Sequence, residues 1–313
     1  MKLASLVLIL SLSNSLLAKS ILVVRKASEN FEEVSDSFSQ EASEDFIVND
    51  YVINDRTTYN NFEKKVRSVN PNALIVMDNQ AVSYTKEYFK KNPKMRIPTL
   101  ATMALNLPKV LEKNSYIAGI RYEAPGFSVI NSYNFLTAQP LKRVGVFYRK
   151  SQHDELIENT KRQLKRVKIE LVAYNVEKKG RGKSRINSFL RKKFKRLSDL
   201  DAIWVLADNV ILNRRAFNKH WKPLSEKIPL ICPLKKFVTS ETDLCVFSAF
   251  PSHTDLGSQL AGMFFAVVDG ERSIQEIGVE SIIAVEKLRN AKKMKNFNIQ
   301  LNPKAAKQIP VAE

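Results

Sequence analysis

Residues 199–271 read DLDAIWVLADNVILNRRAFNKHWKPLSEKIPLICPLKKFVTSETDLCVFSAFPSHTDLGSQLAGMFFAVVDGE, and the order of apolar and polar runs in them decides the fold class. An apolar run at 202–206 ends just before Asp208-Asn209. Helical text follows, then a second apolar run at 229–232, a loop, and a third run at 244–247. A long apolar helical segment at 256–268 then closes on Asp269-Gly270-Glu271. Short continuous apolar runs, as opposed to alternating ones, are what strands look like when both sheet faces are covered. Such strands separated by helical text predict an open parallel sheet flanked by helices.

The same alternation extends outward in both directions. Strands are expected at 20–24, 46–53, 73–77, 98–103 and 116–120, with helices at 29–44, 59–69 and 81–91 between them. The pattern restarts after Pro140, with strands at 143–148 and 169–175 and helices at 153–166 and 186–197. The segment 134–148, NFLTAQPLKRVGVFY, reads as a helix end, a proline and the first strand of a second unit. The chain is therefore expected to be α/β with two lobes, each a parallel sheet flanked by helices, joined by a hinge. Residues 19–122 plus 252–275 are assigned to the first lobe, and 123–251 plus 276–313 to the second. Chain crossings are expected near 121–124, 248–252 and 272–276.

Residues 1–18 carry one early cation, Lys2, an apolar run from Leu3 to Leu17, and a small residue, Ala18, before Lys19. That is the pattern of a secretory signal peptide, and the run is short of the roughly 20 residues a spanning helix needs. A periplasmic location is expected. The remaining chain is long enough for two cores, and an apolar content of 44% supports them. The two cysteines, Cys232 and Cys245, lie in apolar runs that read as neighbouring strands. Paired free thiols are the expectation, with one disulfide as the alternative in an oxidising compartment.

The net charge of +18 is concentrated: residues 142–196 hold nineteen Lys and Arg against five acids. RQLKRVK at 162–168 and RKKFKR at 191–196 interleave these cations with apolar residues at helical spacing, so a solvated helix face is expected and nucleic acid is not an expected partner. KKGRGKS at 178–184 is no phosphate loop, because Gly180 and Gly182 are too close for the Gly-x4-Gly-Lys-Ser/Thr spacing. The three histidines are far apart and lack a metal-binding spacing, and no Gly-x-Ser-x-Gly elbow occurs. Neither an enzyme nor a metal or other cofactor is expected. Ser151 reads as the cap of the helix that His153 opens.

Strand–Asp-Asn–helix–strand–loop–strand, followed by a helix that carries Gly257 and ends at Gly270-Glu271, resembles the second half of the substrate-binding proteins of ABC transporters. The family is the one that includes aromatic amino acid binders, of periplasmic type I fold. The resemblance implies a monomeric binding protein that captures a small molecule, such as an amino acid, between its lobes and hands it to an ABC permease. The alternative it implies is a sensing module of the same fold, signalling to a membrane receptor. It also implies that Asp208 and Asn209 contact the ligand. Other strand-end positions are Ser28, Asp78, Asn79, Thr102 and Tyr122 in the first lobe, with Ser151 and Ser252 from the second. For both pairs, Asp78-Asn79 and Asp208-Asn209, capping of the following helix competes with ligand contact. The chain departs from the family after its first strand, where RKASENFEEVSDSF (25–38) stands, and at Lys235-Lys236-Phe237. N-terminal sequencing of the exported protein is expected to start at Lys19; a chain retaining Met1 in the membrane fraction contradicts the signal-peptide reading.

Overall fold

The computed structural model describes residues 19–111, 116–178, 180, 182–197 and 199–312; the expected signal segment, 1–18, lies outside the described residues. Strand and helix alternate from the start: β1 (Ser20–Lys26), α1 (Glu29–Ala42), β2 (Ile47–Ile53), α2 (Tyr59–Val69), β3 (Ala73–Met77), α3 (Asn79–Lys91), β4 (Thr99–Thr102), α4 (Leu107–Leu111) and β5 (Ile117–Arg121). β3, ALIVM, is buried at every residue, as a central strand covered on both faces must be. α2 starts where Thr58 accepts from the Asn61 N–H and Asn61 accepts in return from the Thr58 N–H, which satisfies two otherwise orphaned donors.

The second unit repeats the scheme: α5 (Gly126–Leu136), β6 (Arg143–Tyr148), α6 (Lys150–Arg166), β7 (Glu170–Asn175), α7 (Lys183–Phe194) and β8 (Ala202–Trp204). Two short helices, α8 (Arg214–Ala216) and α9 (Lys222–Leu224), flank a π turn at Phe217–Trp221, and β9 (Leu230–Cys232) and β10 (Phe247–Pro251) follow. The chain finishes with α10 (His253–Val268), α11 (Ile274–Ile277), β11 (Val279–Ser281), β12 (Val285–Arg289), α12 (Ala291–Asn296) and α13 (Pro303–Gln308).

Two six-stranded sheets result, ordered β2-β1-β3-β4-β5-β11 and β7-β6-β8-β9-β10-β12. Their pairings are parallel, except that β12 runs antiparallel to β10. Apolar clusters lie on both faces of each sheet. In both sheets the order reverses beside the first strand, between β1 and β3 and between β6 and β8, so the loops leaving those strands diverge and open a crevice at the carboxyl ends.

α10 returns from the second sheet to cover the first. Leu260 and Phe264 share a core with Val34 and Phe38 of α1, and the Phe38 and Phe264 rings meet edge-on at 5.7 Å. Gly257 sits at the helix crossing; a Cβ there would stand 2.6 Å from the Val34 carbonyl oxygen, so the two backbones can approach only without a side chain.

Several expectations need correction. Residues 276–281 were assigned to the second lobe, but β11 pairs with β5 and completes the first sheet. The last passage between sheets is therefore at 282–284, not 272–276. The strand expected at 244–247 starts only at Phe247, because Leu244 and Cys245 donate their N–H groups to the Phe237 carbonyl in a tight return. The helix after Arg149 starts at Lys150, so Ser151 is its second residue and not its cap. The cysteines are joined as a disulfide and not free: β9 and the approach to β10 bring their Cα atoms to 6.1 Å, within bridging range. The bridge closes a short loop, which should contribute about 3 kcal/mol of stability by restricting the unfolded chain. Denaturant unfolding with and without reductant is expected to show that loss, and Cys245→Ala should reproduce it without reductant.

Candidate functional site

The carboxyl ends of the two sheets face one another across a cleft of about 340 Å³, a volume within the range of small-ligand sites. The first lobe supplies Asn106, Pro108 and Lys109 from the loop and helix after β4, and Arg121 and Glu123 from the end of β5. The second supplies the opening of α6, from Lys150 to Leu156. Asn106 Nδ2 donates to Gln152 Oε1 at 3.1 Å, so one hydrogen bond already spans the lobes. A more open groove of about 510 Å³ continues past Ser151 and Gln152 toward Arg149, Glu177 and Lys183. Behind Glu123 and His153 lies a small apolar recess walled by Val129, Trp204, Leu206 and Ala249. Gly126 lets α5 lie against that wall, since a Cβ there would stand 2.3 Å from the Trp204 ring.

Two carboxylates near the cleft have opposite electrostatics. The Asp208 side chain is fully buried. It accepts from Arg149 Nε at 2.7 Å, from His153 Nε2 at 3.1 Å, and from the Val210 and Ile211 N–H groups at 2.8 and 3.2 Å. Burial by itself would raise its pKa, but the bonds from His153 and Arg149, with the guanidinium charge, prevail and hold it at about 2. An ionised acceptor requires that Nε2 of His153 carry a hydrogen.

Glu123 is the reverse case. Its Oε1 accepts from the Asn106 N–H, while its Oε2 is buried and has no hydrogen-bond partner. Burial pushes its pKa up, against smaller opposing effects of the Asn106 hydrogen bond and the His153 and Arg121 charges. Arg121, beside it on the cleft wall, makes no side-chain hydrogen bond or ion pair among the described residues.

The nine residues picked out from the sequence fare differently. Ser151 lines the cleft, and its N–H and Oγ both donate to Glu177. Asp208 stands behind the cleft wall, committed to its own lobe, and Asn209 is exposed beyond it. Asp78 caps α3 by accepting from the Gln80 N–H at 2.6 Å, and holds φ at 94°, a value rare outside glycine. Asn79 exchanges two hydrogen bonds with the backbone of Leu105, pinning the loop that carries Asn106. Thr102 is buried and bonds the Ile120 carbonyl. Ser28 is exposed next to α1, and Ser252 caps α10. Tyr122 sits on the first passage between sheets, with its hydroxyl 2.9 Å from Nε2 of His253 on the second passage; burial pushes its pKa up to about 12.

No family model matches the chain, and no curated protein matches it in sequence. Solved structures match over nearly its whole length. One is an ABC domain from Streptococcus pneumonia in complex with L-Trp, 16% identical, covering 94% of this chain and 99% of that one, with a TM-score of 0.63. A second is the ligand-free, open form of a substrate binding protein with adhesive properties from Clostridium difficile, 13% identical over 94% and 99%, with a TM-score of 0.64. An arabinose binding protein from Geobacillus stearothermophilus matches at 11% identity over 88% and 98%, with a TM-score of 0.56. The chain has the two-lobed type I fold of periplasmic binding proteins.

Within that fold the sequence misled in one respect. Asn106, Lys109, Glu123 and Gln152 were not picked out, and His153 was taken only for a helix start. The signal present in the sequence was the placement of Arg121 and Arg149 directly at strand ends, where charged side chains face the crevice. Among the described residues no group of three His, Cys, Asp or Glu could hold a metal ion, and no helix is long and apolar enough to cross a membrane.

Asp208 contributes stability above its unfolded-state pKa, near 3.8, and that contribution is lost as pH falls through its folded value of about 2. Asp208→Asn should therefore lower stability by about 2 kcal/mol at neutral pH and flatten its fall below pH 4. Urea unfolding at a series of pH values checks both.

Proposed function

We propose that this protein is an exported solute-binding protein whose interlobe cleft captures a small molecule bearing both charges, an amino acid or close relative, for delivery to an ABC permease. The observation that supports it is the uncommitted charge pair on the cleft wall. Arg121 makes no ion pair among the described residues, and Glu123 keeps a buried oxygen without a donor among them. An unsatisfied buried oxygen costs roughly 1–3 kcal/mol, so a ligand ammonium group donating to it restores what the empty protein lacks. A ligand carboxylate facing Arg121 supplies the opposite partner. The apolar recess behind Glu123 is small, so the ligand's apolar part must be short or the lobes must part to admit it.

In this reading Asp208 is a positioning residue. By gripping Arg149 and His153 it fixes the entry of α6, and with it Lys150, Ser151 and Gln152. Closure follows from ligand contacts to both lobes, which favour the closed state over the open one by their difference in affinity. The L-Trp held by the Streptococcus structure makes an amino acid the first ligand to try.

Calorimetric titration with a panel of amino acids is expected to identify a ligand whose affinity falls about ten- to a hundred-fold in Glu123→Gln and in Arg121→Gln. Unliganded Glu123→Gln should melt no lower than the parent at neutral pH, because its folded pKa is raised and the ionised carboxylate is the disfavoured form. Undiminished affinity in both variants would move the site out of this cleft.

A further inference from the structure

Most of the densest positive charge of the molecule lies away from the cleft. Residues 161–196 contain fifteen Lys and Arg and two acids. Because helices in this fold run antiparallel to their strands, the carboxyl ends of α6 and α7 lie at the amino ends of β6, β7 and β8, away from the cleft. Exposed Lys165, Arg166 and Lys168 are thus gathered with exposed Lys195 and Arg196 at the far pole of the second lobe. The two helices cover opposite faces of the sheet, α6 with Ile157 and Leu164 and α7 with Ile186 and Leu190. The charge therefore wraps around the edge strand β7.

α7 organises this charge into a docking surface. Ile186 and Leu190 face inward, and the adjoining flank carries Arg185, half-buried Phe189 and Lys192 at intervals of four and three residues, one stripe of a helix, with Arg196 in the turn just beyond its end. These cations, with Lys193 and Lys195, border a shallow groove of about 630 Å³ whose floor includes half-buried Phe189. No ion pair joins any of them to an acid among the described residues; Lys193 lies over the Tyr174 ring instead. In a chain that pairs Arg25 with Asp50, Arg143 with Glu170 and Lys293 with Glu226, so many unpaired cations on one surface call for an external anion.

We propose that the outer side of α7 and the adjoining pole dock on an anionic lipid surface, with the cleft left free. Three features favour a membrane over a discrete ligand. The charge extends beyond the shallow groove to exposed Lys165, Arg166 and Lys168 at the end of α6, a wider spread than one small anion would need. Lysines are prominent in it, and a lysine is a hydrated point charge suited to diffuse attraction more than to bidentate recognition. An apolar ring lies in the middle of the stripe, as on helices that rest in a membrane interface. Juxtamembrane basic clusters gain affinity cation by cation within a Debye length of an anionic surface. The inference rests on the proposed export, since an exported protein serving a permease works beside such a surface.

The test is co-sedimentation of the chain from Lys19 onward with vesicles of phosphatidylglycerol mixed with phosphatidylcholine, and with vesicles of phosphatidylcholine alone, at low and at about 0.15 M salt. Binding to the anionic vesicles only, weakening with salt, is expected. The triple variant K192E/K195E/R196E should lower partitioning at least ten-fold, while K192R/K195R retains it. These side chains are exposed and unpaired, so both variants should keep the parent's melting temperature, and ligand titration at the cleft should be unchanged. Absence of binding at about 0.15 M salt, binding unaffected by the charge reversal, or preference for an acidic protein or nucleic acid over the vesicles would each overturn the proposal. Cell fractionation of the same protein reports on export separately, so failure of docking and failure of the export reading are distinguishable.

Discussion

A parallel sheet whose strand order reverses once must leave two neighbouring loops pointing apart, and this chain builds that arrangement twice. β1 and β3 open the gap in one sheet, β6 and β8 in the other. The backbone beyond those strands leaves N–H groups to be satisfied, and Asp78, which caps α3, and Asp208, which holds the turn after β8, sit at the strand ends. Each accepts from backbone N–H groups two or three residues ahead. These polar side chains are thus committed to the backbone of their own lobe, and the cleft wall is lined by groups at other positions.

Asp208 and Glu123 show how a site separates structural from available charge. Both are carboxylates in largely buried surroundings, where ionisation is costly. Asp208 meets four donors, one of them the Arg149 guanidinium, so ionisation is favoured and the group is used up. Glu123 meets one N–H, and its second oxygen is left over. Donor count, more than depth, decides which acid can serve a ligand.

Much of the fold was legible in the sequence because its signals are local. Continuous apolar runs located β3 and β6 to the residue, and helical spacing did the same for α2. What failed was non-local. Nothing in VES at 279–281 says that it pairs with β5 when it stands next to text that joins the other sheet. The disulfide depended on how β9 and β10 pack. The site was harder for the same reason: Asn106 and Gln152 are ordinary amides in the sequence, and only the meeting of lobes brings them to 3.1 Å. The Asp208-Asn209 pair drew attention as a motif, yet the motif's carboxylate had already been claimed by Arg149, which sits 59 residues earlier.

The late return of the chain to its first sheet has a consequence during synthesis. The face of the first sheet that carries Phe38 and Phe46 is covered by Phe264 and its neighbours in α10, and the sheet's outer strand is β11. A ribosome that has released the first hundred or so residues has therefore made strands and helices that cannot yet bury that face. The second sheet waits longer still, for β12 at 285–289. Neither lobe can close into a stable body until nine-tenths of the polypeptide exists.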